Sequence, residues 1–137
     1  MRHDRSDFWT RRGFDAEVLG GHYTIYYRNN QKTTVEFGQN AESHPIAKGL
    51  SAAKIIGNCP LYIISPLAND ATPLLIGTTP AAVGKKIELR SEPVAWTRLY
   101  GPKHARVLYS SLGDADDFKN PEFRRLLVNT VISALGE

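Results

Sequence analysis

The spacing of apolar residues shifts between helical and strand periods along this chain, and each shift marks a change of element. Between Phe8 and Leu19, Phe14 and Val18 lie one helical turn apart. Ser6 and Asp7 precede them as helix-start residues, Gly13 weakens the run and Gly20-Gly21 ends it. From His22 to Arg28 the period drops to two: Tyr23, Ile25 and Tyr27 alternate with His22, Thr24, Tyr26 and Arg28, which predicts a half-buried strand. Asn29-Asn30 supplies a turn, and Lys32 to Phe37 predicts a second, weaker strand.

The middle of the chain reads as short β segments: Leu61 to Ile64, Pro73 to Gly77 and Lys85 to Leu89. His44-Pro45 opens a single helical turn that runs towards Leu50, because proline fixes φ at its start. Pro93 to Leu99 and Ala105 to Ser111 form the best strand pair, joined through the Gly101-Pro102 turn signal. The final element is a helix. Asn120 caps it, Pro121 takes the first helical position and Glu122 lies in the first turn. Phe123, Leu126, Leu127, Thr130, Val131, Ala134 and Leu135 follow at helical spacing, and Gly136 stops it. Strands followed by a helix with one apolar stripe predict an α/β layer protein, although hairpin-like strands leave few buried parallel strands for its centre.

At 137 residues, 42% hydrophobic and 23% charged, the composition suits one globular domain spanning residues 1–137. A net charge of +3, with basic pairs scattered at Arg11-Arg12, Lys85-Lys86 and Arg124-Arg125, argues against a nucleic-acid partner. The polar start at Met1 predicts no signal peptide, and no apolar run approaches a membrane span, so a soluble chain without a membrane partner is expected. Cys59 is the lone cysteine, which excludes an intrachain disulfide and a thiolate metal cluster. It precedes Pro60 and a strand without a Gly-flanked elbow, so it does not fit a nucleophile and reads as a small buried side chain. No metal site and no phosphate loop is expected, and no cofactor is named by these residues.

Three blocks in order carry a family likeness. The first is Phe14-Asp-Ala-Glu-Val-Leu-Gly-Gly-His-Tyr23. The second is His44-Pro-Ile-Ala-Lys-Gly-Leu50, followed by Leu61-Tyr62 and Ser65-Pro-Leu67. The third and most specific is Glu92-Pro-Val-Ala-Trp-Thr-Arg98, then Arg106 to Gly113, then Asp116 to Asn129. Together they resemble the ThuA-like (trehalose utilisation) family. The resemblance implies a partial flavodoxin-like, class I glutamine amidotransferase-like α/β sheet, with several hairpin strands and a C-terminal helix. It also implies that this chain matches the family's C-terminal half. A role in carbohydrate metabolism, at the level of trehalose or keto-glycosides, is implied with it; no reaction type follows.

In open α/β sheets ligands sit beyond the carboxyl ends of strands. That places a candidate site at Leu112 to Asp117, where Asp114 and Asp117 could hold sugar hydroxyls as paired acceptors; the alternative is that the aspartates favour the next helix start. Trp96, Arg98 and Tyr100 alternate on one strand face and could stack on and donate to a sugar ring; the alternative puts Trp96 in the core and Arg98 in an ion pair. The resemblance implies histidines at the positions of Asp114 and Tyr26, both absent here, with His22 nearby as a substitute. His44 is expected to shape the turn before Pro45, and His104 to be exposed. Two functional readings stay open: a domain binding a sugar or sugar derivative, or a catalytically inert, truncated or oligomerising interaction domain, for which a homodimer is the expected assembly.

Overall fold

A computed structural model of the chain describes residues 11–28 and 32–136. A short helix α1 (Arg11–Phe14) continues into one wide π-type turn over Asp15–Leu19, closed where the Gly20 amide reaches the Asp15 carbonyl at 2.9 Å. Gly20 ends it at φ 81°, a conformation glycine adopts without steric penalty. The expected start at Ser6 lies outside the described residues. Seven strands follow: β1 (Ile25–Tyr26), β2 (Thr33–Phe37), β3 (Ile56–Gly57), β4 (Tyr62–Ile63), β5 (Thr72–Val83), β6 (Lys86–Tyr100) and β7 (Ala105–Ser110). The chain closes with helix α2 (Pro121–Ala134).

The main sheet runs β3-β2-β5-β6-β7, and β1 pairs with β4 in a separate two-stranded sheet. Every ladder among the described residues is antiparallel, so the mixed α/β character and the C-terminal helix hold, while none of the parallel pairing expected of a flavodoxin-like sheet is seen among these residues. The connections explain this. Gly84-Lys85 joins β5 to β6, and residues 101–104 join β6 to β7, both far too short for the crossover a parallel pair requires.

Strand β6 absorbs nearly all of Lys85–Leu89 (from Lys86) and all of Pro93–Leu99 of the sequence reading, and Pro93 does not interrupt it. The reason is positional. β7 pairs only with residues 95–100, so Pro93 has no outer neighbour to which an N–H must donate. Pro73 and Pro80 of β5 likewise lie outside the Leu75–Thr78 stretch that β2 covers. Between them the β5–β6 ladder slips, and Leu74 and Val94 drop out of register; both are buried.

Successive β6 residues then face opposite layers. Ala95 joins Val35, Leu75, Phe123 and Leu126 in the main core, under α2 and the short 3-10 turns Ala41–Ser43, Pro45–Ala47 and Ala52–Lys54. Trp96 turns the other way, towards Leu19. Helix α2 begins as the sequence specifies: the Asn120 side-chain oxygen accepts from the Glu122 amide at 2.9 Å, with Pro121 at the first position. Glu122 itself accepts from the Ser51 amide at 2.8 Å, tying the helix start to a distant loop.

Candidate functional site

The residues singled out in the sequence fall into two clusters. In the first, Trp96, Arg98 and Tyr100 rise in step along β6 and all engage the Asp15–Leu19 turn. The Trp96 indole donates to the Leu19 carbonyl at 2.7 Å, and its ring stacks on Tyr109 with centroids 4.1 Å apart. With 0% of its surface exposed, Trp96 is core. Arg98 donates through Nη1 to the Glu17 carbonyl (3.0 Å) and through Nη2 to Asp70 Oδ2 (2.9 Å), while its buried Nε has no partner among the described residues. The Tyr100 hydroxyl donates to Glu17 Oε1 at 3.4 Å.

The Gly20-Gly21 pair makes this docking feasible. A Cβ on Gly21 would come within 2.8 Å of Trp96 and Leu67, and one on Gly20 within 2.9 Å of Arg98. His22 lies beside this cluster, its Nδ1 3.2 Å from Asp15 Oδ2. Tyr26 is exposed on β1, opposite Tyr62, so it does not join the Trp96–Tyr100 face.

The second cluster is the loop after β7. Asp117 is 2% exposed and accepts four N–H groups: the Asn58 amide (3.1 Å) and side chain (2.6 Å) on Oδ1, and the Gly113 (2.9 Å) and Asp114 (3.0 Å) amides on Oδ2. Its carboxylate therefore stitches the 113–117 loop to the segment after β3. Asp114 accepts from the Asp116 amide at 2.9 Å and from the Cys59 thiol at 3.4 Å. Burial, then that hydrogen bond, then the Asp114 and Asp117 charges push the Cys59 thiol above its ordinary range, which keeps it protonated and a poor nucleophile. Asp116 is paired on the surface with Lys119 at 2.6 Å, which holds its carboxyl below the usual range.

A cavity of about 550 Å³ opens elsewhere, between the outer ends of β6 and β7 and the C-terminal half of α2. Of the residues selected as ligand contacts only Arg98 lines it, together with His44 and His104, which were expected to be a turn residue and an exposed one; Asp114, Asp117, Trp96, Tyr100, His22 and Tyr26 do not. Its polar wall combines Arg98, Arg106, Asp70 and His44 with the hydroxyls of Thr97 and Thr130. Both hydroxyls give their protons to backbone carbonyls, of Val107 (2.9 Å) and Leu126 (2.6 Å), which leaves them only acceptor capacity. Arg106 is anchored on the Ser133 carbonyl at 2.7 Å. His44 Nδ1 accepts from the Ile46 amide at 3.2 Å, which assigns the proton of the neutral ring to Nε2, and burial lowers its pKa. Ile46, Leu99 and Leu108 supply the apolar surface.

No periodic motif announced this wall. Its residues come from five separated stretches, and Thr97 and Leu99 sit on the β6 face opposite the one that Trp96 and Arg98 advertise. The hint available was His44, whose side chain does shape the Pro45 turn as expected. Among the described residues no group of three His, Cys, Asp or Glu side chains is disposed to hold a metal ion.

An antiparallel-sheet α/β domain with a capped C-terminal helix and a hydroxyl-lined cavity is thus the class the coordinates define. The trehalose utilisation (ThuA) family model matches residues 3–132, and the chain belongs to that family. Searches of curated proteins and of solved structures returned no match.

Proposed function

We propose that this chain binds a sugar or sugar-derived ligand, such as trehalose or a keto-glycoside, in the cavity between β6–β7 and α2. The observation that carries the reading is the cavity's wall in a chain of the trehalose utilisation family: guanidinium donors, a carboxylate and proton-satisfied hydroxyls around an apolar floor. A sugar presents every hydroxyl as both donor and acceptor and its C–H faces as apolar surface, so it needs such a mixture. The volume lies inside the ~300–1,000 Å³ range of small-molecule sites. Arg98 has a role in both settings, holding Asp70 in place and lining the cavity.

Isothermal titration with trehalose, glucose and their keto derivatives tests the reading, and silence across that panel sinks it. The Asp114 loop is the rival location. Asp114→Ala is expected to leave affinity unchanged, and Arg106→Ala to weaken it about tenfold, the loss of one charge-assisted hydrogen bond; the reverse pattern moves the site to the loop. In the same reading the chain is the C-terminal half of a class I glutamine amidotransferase-like domain, supported by the order of its three sequence blocks. In-frame coding sequence upstream that specifies parallel βαβ units would test that placement.

A further inference from the structure

Formal charge is unevenly balanced around the cavity between β6–β7 and α2. Two arginines and one aspartate line it, so with its histidines neutral the wall carries a single positive charge in excess. The Arg98–Asp70 ion pair, closed at 2.9 Å, cancels within itself. Burial favours the neutral form of His44, which therefore offers an N–H but no charge. Arg106 is the remainder. It has no carboxylate partner among the described residues. The Ser133 carbonyl takes one N–H from its Nη1 at 2.7 Å but carries no charge to neutralise it. Gly136 lets this guanidinium lie against the end of α2: a Cβ there would stand 3.0 Å from Nη1. The charge is thus held in place at the cavity wall, with most of its five N–H donors still to give.

We infer that the ligand of this cavity is an acidic sugar, a derivative bearing one carboxylate such as a uronate or an aldonate, with its acid group held by Arg106. The inference rests on the placement of a sugar-derived ligand in this cavity, proposed above. A neutral sugar would leave the Arg106 charge without a counter-ion. A carboxylate matches the planar fork of a guanidinium, and such charge-assisted bonds are about twice as strong as neutral ones. Thr97 and Thr130 have spent their protons on backbone carbonyls and cannot donate to an acid group, so they suit ring hydroxyls, and the acid falls to Arg106. The amount of charge selects the acid. A phosphate monoester brings about −1.5 to −2 at pH 7 and would exceed the single positive charge available. One carboxylate equals it.

Isothermal titration of the full chain at one ionic strength, with glucose, glucuronate, gluconate, glucose 6-phosphate and acetate, tests the inference. At least one sugar acid is expected to bind about tenfold or more tighter than glucose, with glucose 6-phosphate no tighter than that acid and acetate far weaker. Arg106→Gln keeps a neutral N–H donor and removes the charge. It should bring the acid-to-glucose affinity ratio close to one while glucose affinity stays within a few-fold, and circular dichroism checks that the variant is folded. If only the acids bind, and through Arg106, the inference holds and neutral sugars fall away as ligands. Equal affinity for glucose and both acids overturns it and leaves the cavity reading intact. So does an acid preference that survives Arg106→Gln. Tightest binding by glucose 6-phosphate, or acetate binding as well as the sugar acids, also overturns it. Silence from every sugar, neutral and charged, takes both readings down.

Discussion

Two of the polar networks that tie distant segments of this fold together differ in what they leave over. Around Asp117, one buried carboxylate meets four N–H donors, and both oxygens are fully used. Around Arg98, a guanidinium at the edge of the cavity between β6–β7 and α2 joins Glu17 and Asp70, while its enclosed Nε has no partner among the described residues. A saturated network stabilises and is closed to a ligand. In the second, the guanidinium also lines a cavity. The two looked equivalent in sequence, as charged residues near a strand end.

The sharpest way to break the comparison is to remove its saturated member. Asp117→Ala removes the shared acceptor of four part-buried N–H groups and empties a buried position, so a loss of about 2 kcal/mol and a Tm lower by several degrees is expected in a thermal melt. Sugar affinity of the folded fraction should not change. Trp96→Phe comes next: losing the indole bond to Leu19 and part of a buried ring is expected to cost about 2 kcal/mol by denaturant titration. Arg98→Lys cannot span both Glu17 and Asp70, so about 1 kcal/mol of stability and about tenfold in ligand affinity should be lost together. If Arg98→Lys costs only stability, the two networks are alike after all.

Smaller effects concern protons. Because the folded thiol of Cys59 titrates above its unfolded value of 9.0, its contribution is fully present below pH 9. It is lost as pH rises through the folded pKa. Alkylation at pH 8 should accordingly be slower for Cys59 than for a free cysteine. His44 behaves oppositely. Its lowered pKa gives a contribution present above 6.5 and lost as pH falls through the folded value, visible as a low midpoint in an NMR titration of the ring. Asp116→Asn, at a solvated surface pair, should leave the melting temperature unchanged.

Helix α2 was legible because its start is set locally: the Asn120 cap and Pro121 do their work within one turn. The β6–β7 hairpin was legible for the same reason, through Gly101 and the alternation on either side. Strand direction was not. Whether Leu61–Ile64 pairs with Ile25–Tyr26 or with a parallel neighbour depends on connections that no local period encodes, and β1 shrank to two residues because its alternation faces solvent at Ile25, which is 53% exposed. The role of Asp117 was hidden too, because its partner Asn58 lies 59 residues away. Arg98 could be named from the alternation of β6, but the Thr97–Thr130–Arg106 wall needed the helix to be laid across the sheet first.

The tight reversal at Gly84 bears on how the chain finds its structure. Eleven β5–β6 pairs grow from a connection of two residues, whereas β2 reaches β5 across some forty residues, as in Val35 opposite Gly77. Closing the first loop sacrifices little chain entropy, and closing the second sacrifices more. Assembly is therefore expected to zip outward from the reversal, with β7 joining early and β2 late. Pulsed hydrogen exchange would see amides of 78–91 protected before those of 33–37, and simultaneous protection would rule out that order.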